Sequence, residues 1–265
     1  MNEPNQPTSV DGLMDLSGHR ALITGASGNI GAAIARRLAM AGAEIVIHYN
    51  GNAAAARALE KELNAIGVRT GLVHANLSTA DGARALFAGI DASGGVADLV
   101  VNNAANQDVQ PLAGMALTDW QMVMAANLDS AFSVTQLAVE RLLKSGRAGA
   151  IVNVASIEGF DPATGHAHYA SSKAGMLMLT KAAALEYGSS GIRVNAVSPG
   201  LIDRDGLKAD WPEGVASWLS KAPLGRLGTA EDVAVAVLYL LSPAARWISG
   251  ANLIVDGGMS TVSRW

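Results

Sequence analysis

The chain has 265 residues, 50% of them hydrophobic and 16% charged, with 29 Gly, 8 Pro and no Cys. That apolar content excludes a disordered chain, and the length fits one large α/β domain or two small ones. Without cysteine there are no disulfides, iron–sulfur clusters, thiolate zinc sites or cysteine nucleophiles. The five His are scattered rather than set at ligand spacing, so no metal is expected, and a formal charge of −4 offers no broad basic surface for nucleic acid.

Residues 1–17 carry Pro, Asn and acids with no basic start and no apolar run, so they read as a flexible arm rather than a secretion signal. The longest apolar run, 233–241, is far short of the roughly 18 residues of a membrane span, so a soluble, cytoplasmic protein is expected. From Arg20 onward, short β-branched apolar runs alternate with Ala-rich helical stretches, the pattern of βαβ units around a parallel sheet buried on both faces. Strands are predicted at 21–24, 44–49, 70–74, 98–102, 150–155, 193–197 and 253–255, and helices at 30–41, 53–66, 80–91, 118–144, 169–187 and 230–241. One doubly wound, mostly parallel sheet of about seven strands, with helices on both faces, accounts for residues 18–265 as a single domain. The exception is 201–228, which has no steady period and exceeds most connections in compact domains; such a segment reads as a substrate lid.

The first predicted strand runs into Thr24-Gly25-Ala26-Ser27-Gly28-Asn29-Ile30-Gly31, where a helix begins. Glycines here let the backbone turn sharply and approach a pyrophosphate, whose charge is met by the free amides and positive dipole end of the helix. A tight strand-to-helix turn with no ligand is the plain alternative. Ligands of open parallel sheets bind at the carboxyl ends of strands, which places Asn103 and the Ala104–Ala105 backbone beside a cofactor lying over this turn. For Asn102 a turn in which the side chain bonds its own backbone is the better reading.

Tyr169 and Lys173 are four apart in a helical run and project from one face. A phenol of ordinary pKa about 10 is a poor acid or base at neutral pH, but a nearby ammonium favours the phenolate. Ser156, at the end of the fifth strand, can face the same crevice and hold a carbonyl or alcohol oxygen. Taken singly, each residue also has a structural role open to it: amphipathic core, solvated face, strand-end turn.

As a set, a TGxxxxxG turn, an Asn-Asn-Ala segment, Ser156, Tyr169 thirteen residues later and Lys173 four after that resemble the short-chain dehydrogenase/reductase family, in its short single-domain branch, over roughly residues 18–258. The resemblance implies that Ser156 orients the substrate oxygen and Tyr169 transfers its proton. It also implies that Lys173 holds the nicotinamide ribose while lowering the tyrosine pKa, and that Asn127 completes a proton relay through water. Cofactor contacts are implied for Gly25, Ser27, Gly28, Asn29, Ile30 and Gly31 of the turn, for Tyr49 and Asn50, and for Asn76 and Leu77. Further contacts are implied for Asn103, Ala104, Ala105, Tyr169 and Lys173, and for Pro199, Gly200 and Ile202 after the sixth strand. Asp256-Gly257-Gly258 matches the family's common ending.

Three departures stand out. Position 29 is Asn where the branch usually has Gly; Asn tolerates positive φ, so the turn is expected to form with an altered local shape. Asn76 replaces an adenine-contacting Asp, and Ala105 replaces a Gly. At the end of the second strand Tyr49 stands where an acid would repel a 2′-phosphate, yet neither Gly28 nor Asn50–Gly51 offers a cation to hold one, so the balance leans to NADP(H) over NAD(H).

The mechanism implied is hydride transfer between nicotinamide and a carbonyl carbon. Gln107, Asp108, Glu158, Asp161, His166, His168, Asp203 and Arg204 would give the pocket a polar character suited to a small sugar, polyol or hydroxy-ketone, with His168 free to point away. Two alternatives are a reductase of 3-oxoacyl groups on acyl carrier protein, disfavoured by the acids mixed among Arg204, Lys208 and Lys221, and a catalytically silent nicotinamide-binding sensor or scaffold. The low charged fraction suggests apolar surface hidden in subunit contacts, and the resemblance implies a homotetramer built through the long helices and the tail.

Overall fold

The computed structural model describes residues 9–263. Seven strands, β1 (Arg20–Ile23), β2 (Glu44–Tyr49), β3 (Thr70–His74), β4 (Leu99–Asn102), β5 (Gly149–Val154), β6 (Ile192–Pro199) and β7 (Asn252–Val255), form one sheet in the order 3-2-1-4-5-6-7. Every pairing is parallel. The helices are α1 (Asn29–Met40), α2 (Ala53–Ala65), α3 (Gly82–Ala92), α4 (Leu117–Met124), α5 (Ser130–Ser145), α6 (Ala167–Tyr187), α7 (Leu207–Asp210), α8 (Pro212–Lys221) and α9 (Ala230–Leu241).

Period-two alternation explains the near-continuous apolar strands. Ala21, Ile23, Ile45, Ile47, Leu99 and Val101 face one helical layer, α1, α2 and α9. Leu22, Val46, Val100 and Ile151 face the other, α3, α5 and part of α6. Because both faces of the central strands are covered, a polar side chain there must find a partner inside the protein.

The order places β1 beside β4, so the chain winds outward through β2 and β3 and then returns to wind the other way. At such a switch point the connections leave the strand ends in opposite directions and open a crevice. Thr24–Gly31 and Asn103–Ala105 flank it.

Three expectations need correction. The first eight residues of the expected arm lie outside the described residues, but its last part is not loose: Leu16 is buried in the core and its amide donates to Ala41 O at 2.7 Å. The stretch 201–228 is not irregular throughout, since it holds α7 and α8; Pro212 opens α8 at a position where its missing N–H has no helical partner to lose. The single helix expected at 118–144 is interrupted by a π segment, Ala125–Asp129. A π turn widens the helix locally and redirects its side chains, and Asn127 lies on it, fully buried.

Candidate active site

The glycine turn is fixed from three sides. Gly25 has φ +65°, and a Cβ there would lie 3.0 Å from Ala104 Cα; at Gly31 it would lie 2.4 Å from Gly25 O. No side chain caps α1, whose N-cap is Gly28. An uncapped helix start behind a turn with no room for side chains is the environment a pyrophosphate needs, so the residues present fit a dinucleotide.

Beneath the turn lies His48, on β2. The Gly25 amide donates to His48 Nδ1 at 3.0 Å, so Nε2 carries the proton and donates to Ala75 O at 3.0 Å. Burial holds this imidazole down at about 4, hence neutral, with the Ala75 bond opposing the shift. His48 thereby ties β2 and the end of β3 to the turn. Its only sequence signal was a polar residue inside a buried apolar run.

Asn103 does not point its side chain at a cofactor: Nδ2 donates to Thr24 O at 2.9 Å and to Gly25 O at 3.2 Å, so the residue braces the turn. Thr24 Oγ1 accepts the Asn103 and Ala104 amides at 2.9 and 3.0 Å. Asn102 also departs from expectation. Its Nδ2 donates across the core to Thr135 Oγ1 at 3.0 Å and Asn153 Oδ1 at 2.8 Å, rather than to its own backbone.

Asn29 takes no positive φ, as no residue other than glycine does among those described. It starts α1, and its Nδ2 donates to Asp203 O at 2.8 Å, linking the turn to the stretch after β6. Ser27 and Ile30 are partly exposed on the turn, and Ala105 is exposed beyond β4. Tyr49 packs against His74 with ring centroids 5.3 Å apart, and Asn50 is exposed beside it. Asn76 Oδ1 accepts the Ser78 amide at 3.1 Å, while the Leu77 side chain is buried with Leu86 and Phe87, which leaves only its backbone for a ligand. Pro199 ends β6; a Cβ on Gly200 would come within 2.6 Å of the Trp218 ring, and Ile202 bridges to Gly228.

Ser156, Tyr169 and Lys173 are brought together at the ends of β5 and α6, all buried. Lys173 Nζ lies 5.5 Å from the Tyr169 ring centroid and donates to Val154 O at 2.8 Å. The ammonium does not lower the phenol here. Burial pushes Tyr169 up to about 12, the Ser156 hydroxyl opposes this, and the Glu158 carboxylate adds to it. Burial also pushes Lys173 down to about 8. Desolvation is the largest cause at both groups, so at neutral pH the phenol carries its proton and is ready to give it.

Asn127 is anchored through its side-chain amide. Its amide exchanges two bonds with the Asn106 backbone, at 2.7 and 2.9 Å, and donates to Ser172 Oγ at 3.0 Å. It therefore joins the loop after β4 to α6 one residue before Lys173. Asn106 and Ser172 were missed because nothing in their local spacing marks them.

Of the expected pocket residues, Glu158 and His166 pair at 2.7 Å, both largely buried, and the His166 ring meets the Tyr169 ring edge-on at 5.8 Å. Glu158 is fixed through its amide, which donates to Ser156 Oγ at 3.1 Å. His168 does point away: it is buried and accepts the Tyr169 amide at 2.9 Å. Gln107 and Asp108 are exposed, Asp108 held by Asn106, and Arg204 is engaged by Asp210 at 2.8 Å.

A family model described as enoyl-(acyl carrier protein) reductase matches residues 25–260. The chain is 36% identical over 248 residues to 3beta-hydroxysteroid dehydrogenase 1 of Eggerthella lenta, covering 93% of this chain and 95% of that protein. It is 38% identical over 239 residues to the 3-oxoacyl-[acyl-carrier-protein] reductase of Staphylococcus aureus, covering 90% and 97%. The crystal structure of a gluconate 5-dehydrogenase from Burkholderia cenocepacia in complex with NADP and tartrate superposes with a TM-score of 0.88 at 31% identity, over 96% of this chain and 99% of that one.

Proposed function

The chain belongs to the short-chain dehydrogenase/reductase family and is an NAD(P)-dependent oxidoreductase interconverting an alcohol and a carbonyl, and on that premise we propose that Tyr169 is its acid/base and that its substrate is a small polar hydroxy or keto compound. The observation that carries the assignment is the buried Ser156, Tyr169 and Lys173 group at the crevice. Hydride is given or taken by the nicotinamide when bound.

In the reducing direction the Tyr169 hydroxyl, protonated at neutral pH, donates its proton to the substrate oxygen, which Ser156 Oγ holds by a hydrogen bond. In the oxidising direction the phenol must first lose that proton. Asn127 and Ser172 hold α6, and with it Tyr169 and Lys173, against the loop after β4. Gly25, Gly28 and Gly31, braced by Asn103 and His48, would hold the pyrophosphate, with Asn29, Ile30 and Ser27 around it. Asn76 Nδ2 and the Leu77 backbone would meet the adenine. The backbone from Asn103 to Ala105, with Pro199, Gly200 and Ile202, would flank the nicotinamide.

Tyr169→Phe keeps the ring and removes the proton. Turnover is expected to fall by about a hundred- to ten-thousand-fold with dinucleotide affinity largely retained; a variant that turns over normally overturns the assignment.

The Glu158–His166 pair beside Tyr169 supports a hydroxylated substrate, because a carboxylate and an imidazole can accept from and donate to neighbouring hydroxyl groups. The gluconate 5-dehydrogenase relative points the same way. A second reading, reduction of 3-oxoacyl groups on acyl carrier protein, is favoured by the S. aureus relative; pairing of Arg204 with Asp210 weakens it by removing a free cation from the lid. A screen of sugar acids, polyols and hydroxy-ketones against a 3-oxoacyl thioester separates the two.

NADP(H) is the proposed cofactor form: the strand end at Tyr49–Asn50 carries no carboxylate, and the first turn of α2 has no acid to repel a phosphate at its amino end. A kcat/KM ratio favouring NADH strongly would overturn this. We also read the protein as a cytoplasmic homotetramer, supported by exposed apolar side chains such as Phe132, Leu185 and Trp247; light scattering tests the assembly.

A further inference from the structure

The amino ends of the strands, at the edge of the sheet opposite the catalytic group, enclose a cavity of about 380 Å³ lined by His19, Arg20, Arg69, Arg147 and Glu44. Four different segments contribute these residues, so the cluster is a product of the fold rather than of one segment.

Its charges do not balance. Glu44 lies between Arg20 Nε, at 3.9 Å, and Arg69 Nη1, at 3.2 Å. Asp98, almost wholly buried behind the lining, lies between His19 Nδ1, at 3.0 Å, and Arg147 Nη2, at 2.6 Å, and also accepts the Arg20 amide. Three guanidinium groups against two carboxylates leave one positive charge in excess.

The three arginines differ in what they leave free. Arg20 is a fixed wall: its side chain is 9% exposed and donates to the Gly94 and Gly95 carbonyls and to Ser93 Oγ. Arg69 and Arg147 are 65% and 47% exposed, and each makes one ion pair among the described residues, so most of their donors are uncommitted. The rim gives room, since a Cβ on Gly18 or Gly94 would meet nothing within 4 Å. A purely structural ion network would close its space and neutralise itself; here both volume and charge remain open.

We propose that this cavity is a binding site for a phosphate group, supplied by free phosphate or by a phosphomonoester, which Arg69 and Arg147 grip with their planar donor forks and to which His19 adds a third contact. The excess positive charge favours an anion, and guanidinium donors in pairs suit the tetrahedral oxygens of a phosphate. The ligand would join the connections before β1 to β5 and so stabilise the fold from the edge away from catalysis.

The test titrates the full chain with inorganic phosphate, and separately with glycerol phosphate, against chloride at constant ionic strength and pH 7. Tm and the phosphate ³¹P linewidth are read for the wild type and for Arg69→Gln/Arg147→Gln. A saturable Tm rise of about 2–4 °C is expected in the wild type and is lost in the double variant, with turnover unchanged in both. Any anion bound at the glycine turn is common to the two proteins and cancels in the comparison. Should the double variant fold poorly, Arg69→Gln alone is expected to raise the half-saturating concentration at least about fivefold. Saturation by the ester assigns a phosphomonoester; saturation by inorganic phosphate alone assigns the free anion. A rise that never saturates, or that is equal in wild type and variants, is the mark of an adventitious ion only and overturns the proposal.

Discussion

Lys173 is the residue at which function and stability pull hardest against each other, and Lys173→Met separates them. The side chain is 2% exposed, and burial pushes its ammonium from the ordinary 10.5 down to about 8. At about 1.4 kcal/mol for each tenfold change in proton affinity, the folded state forgoes about 3 kcal/mol at pH 7 by keeping that charge inside. Methionine has similar volume and no charge to bury, but it strands Val154 O, which now accepts from Nζ at 2.8 Å, at a cost of about 1–2 kcal/mol. The net expectation is a gain of about 1–2 kcal/mol, or a Tm rise of about 2–6 °C, with turnover lost.

The pH dependence fixes the sign. Below pH 8 both the folded and the unfolded chain bind the lysine proton, so the penalty is fully present. Between 8 and 10.5 the unfolded chain still holds a proton that the folded one has released, and wild-type stability rises with pH. The advantage of the methionine variant should therefore shrink by about 2 kcal/mol between pH 7 and pH 9.5. Tyr169, pushed up to about 12, acts oppositely only above pH 10, where the unfolded chain ionises first. Urea denaturation of both proteins at the two pH values measures the difference directly. A variant less stable than wild type at pH 7, or a difference that does not change with pH, refutes the reasoning.

The glycine turn and the stretch after β6 give two further expectations. Gly31→Ala places a Cβ 2.4 Å from Gly25 O and 2.7 Å from Asn103 Nδ2, so the turn must shift. A loss of about 1–3 kcal/mol is expected from thermal denaturation, together with weakened dinucleotide binding by fluorescence titration; unchanged affinity would show that the turn does not hold the pyrophosphate. Asn29→Ala removes the tie to Asp203 O from an exposed position, so stability should stay within about 0.5 kcal/mol while dinucleotide release, followed by stopped-flow fluorescence, becomes faster. An unchanged release rate would show that the tie does not restrain the dinucleotide.

Much of the architecture was legible in the chain because its cause is local. Alternating β-branched residues gave β2 and β3 at their full extent, and α9 likewise, since each is bounded by its own turn or cap; Thr229 and Asp232 form a capping box at the start of α9. The four-residue spacing of Tyr169 and Lys173 carried over into one helix for the same reason. The boundaries failed where a tertiary contact overrode the periodicity. Leu16 is drawn into the core from a segment that reads as an arm, and α5 is separated from α4 by the π segment around Asn127. The helices α7 and α8 were invisible because they are short and their support comes from packing, with Val215 and Leu207 meeting Leu227 rather than one another's neighbours in sequence.

Polar side chains divide along the same line. By itself the sequence determined the doubly wound fold, the glycine turn before a helix and the clustering of Ser156, Tyr169 and Lys173, because hydrophobic period and short spacing are properties of one segment. Only the tertiary structure decided that Asn103 and His48 brace the turn, that Asn102 reaches Asn153 and Thr135, that Asn29 holds Asp203, and that desolvation governs the charges of Tyr169 and Lys173. A buried donor must find an acceptor wherever the crossovers bring one, and a charge responds to everything packed around it, so neither outcome is written in the neighbouring residues of the chain.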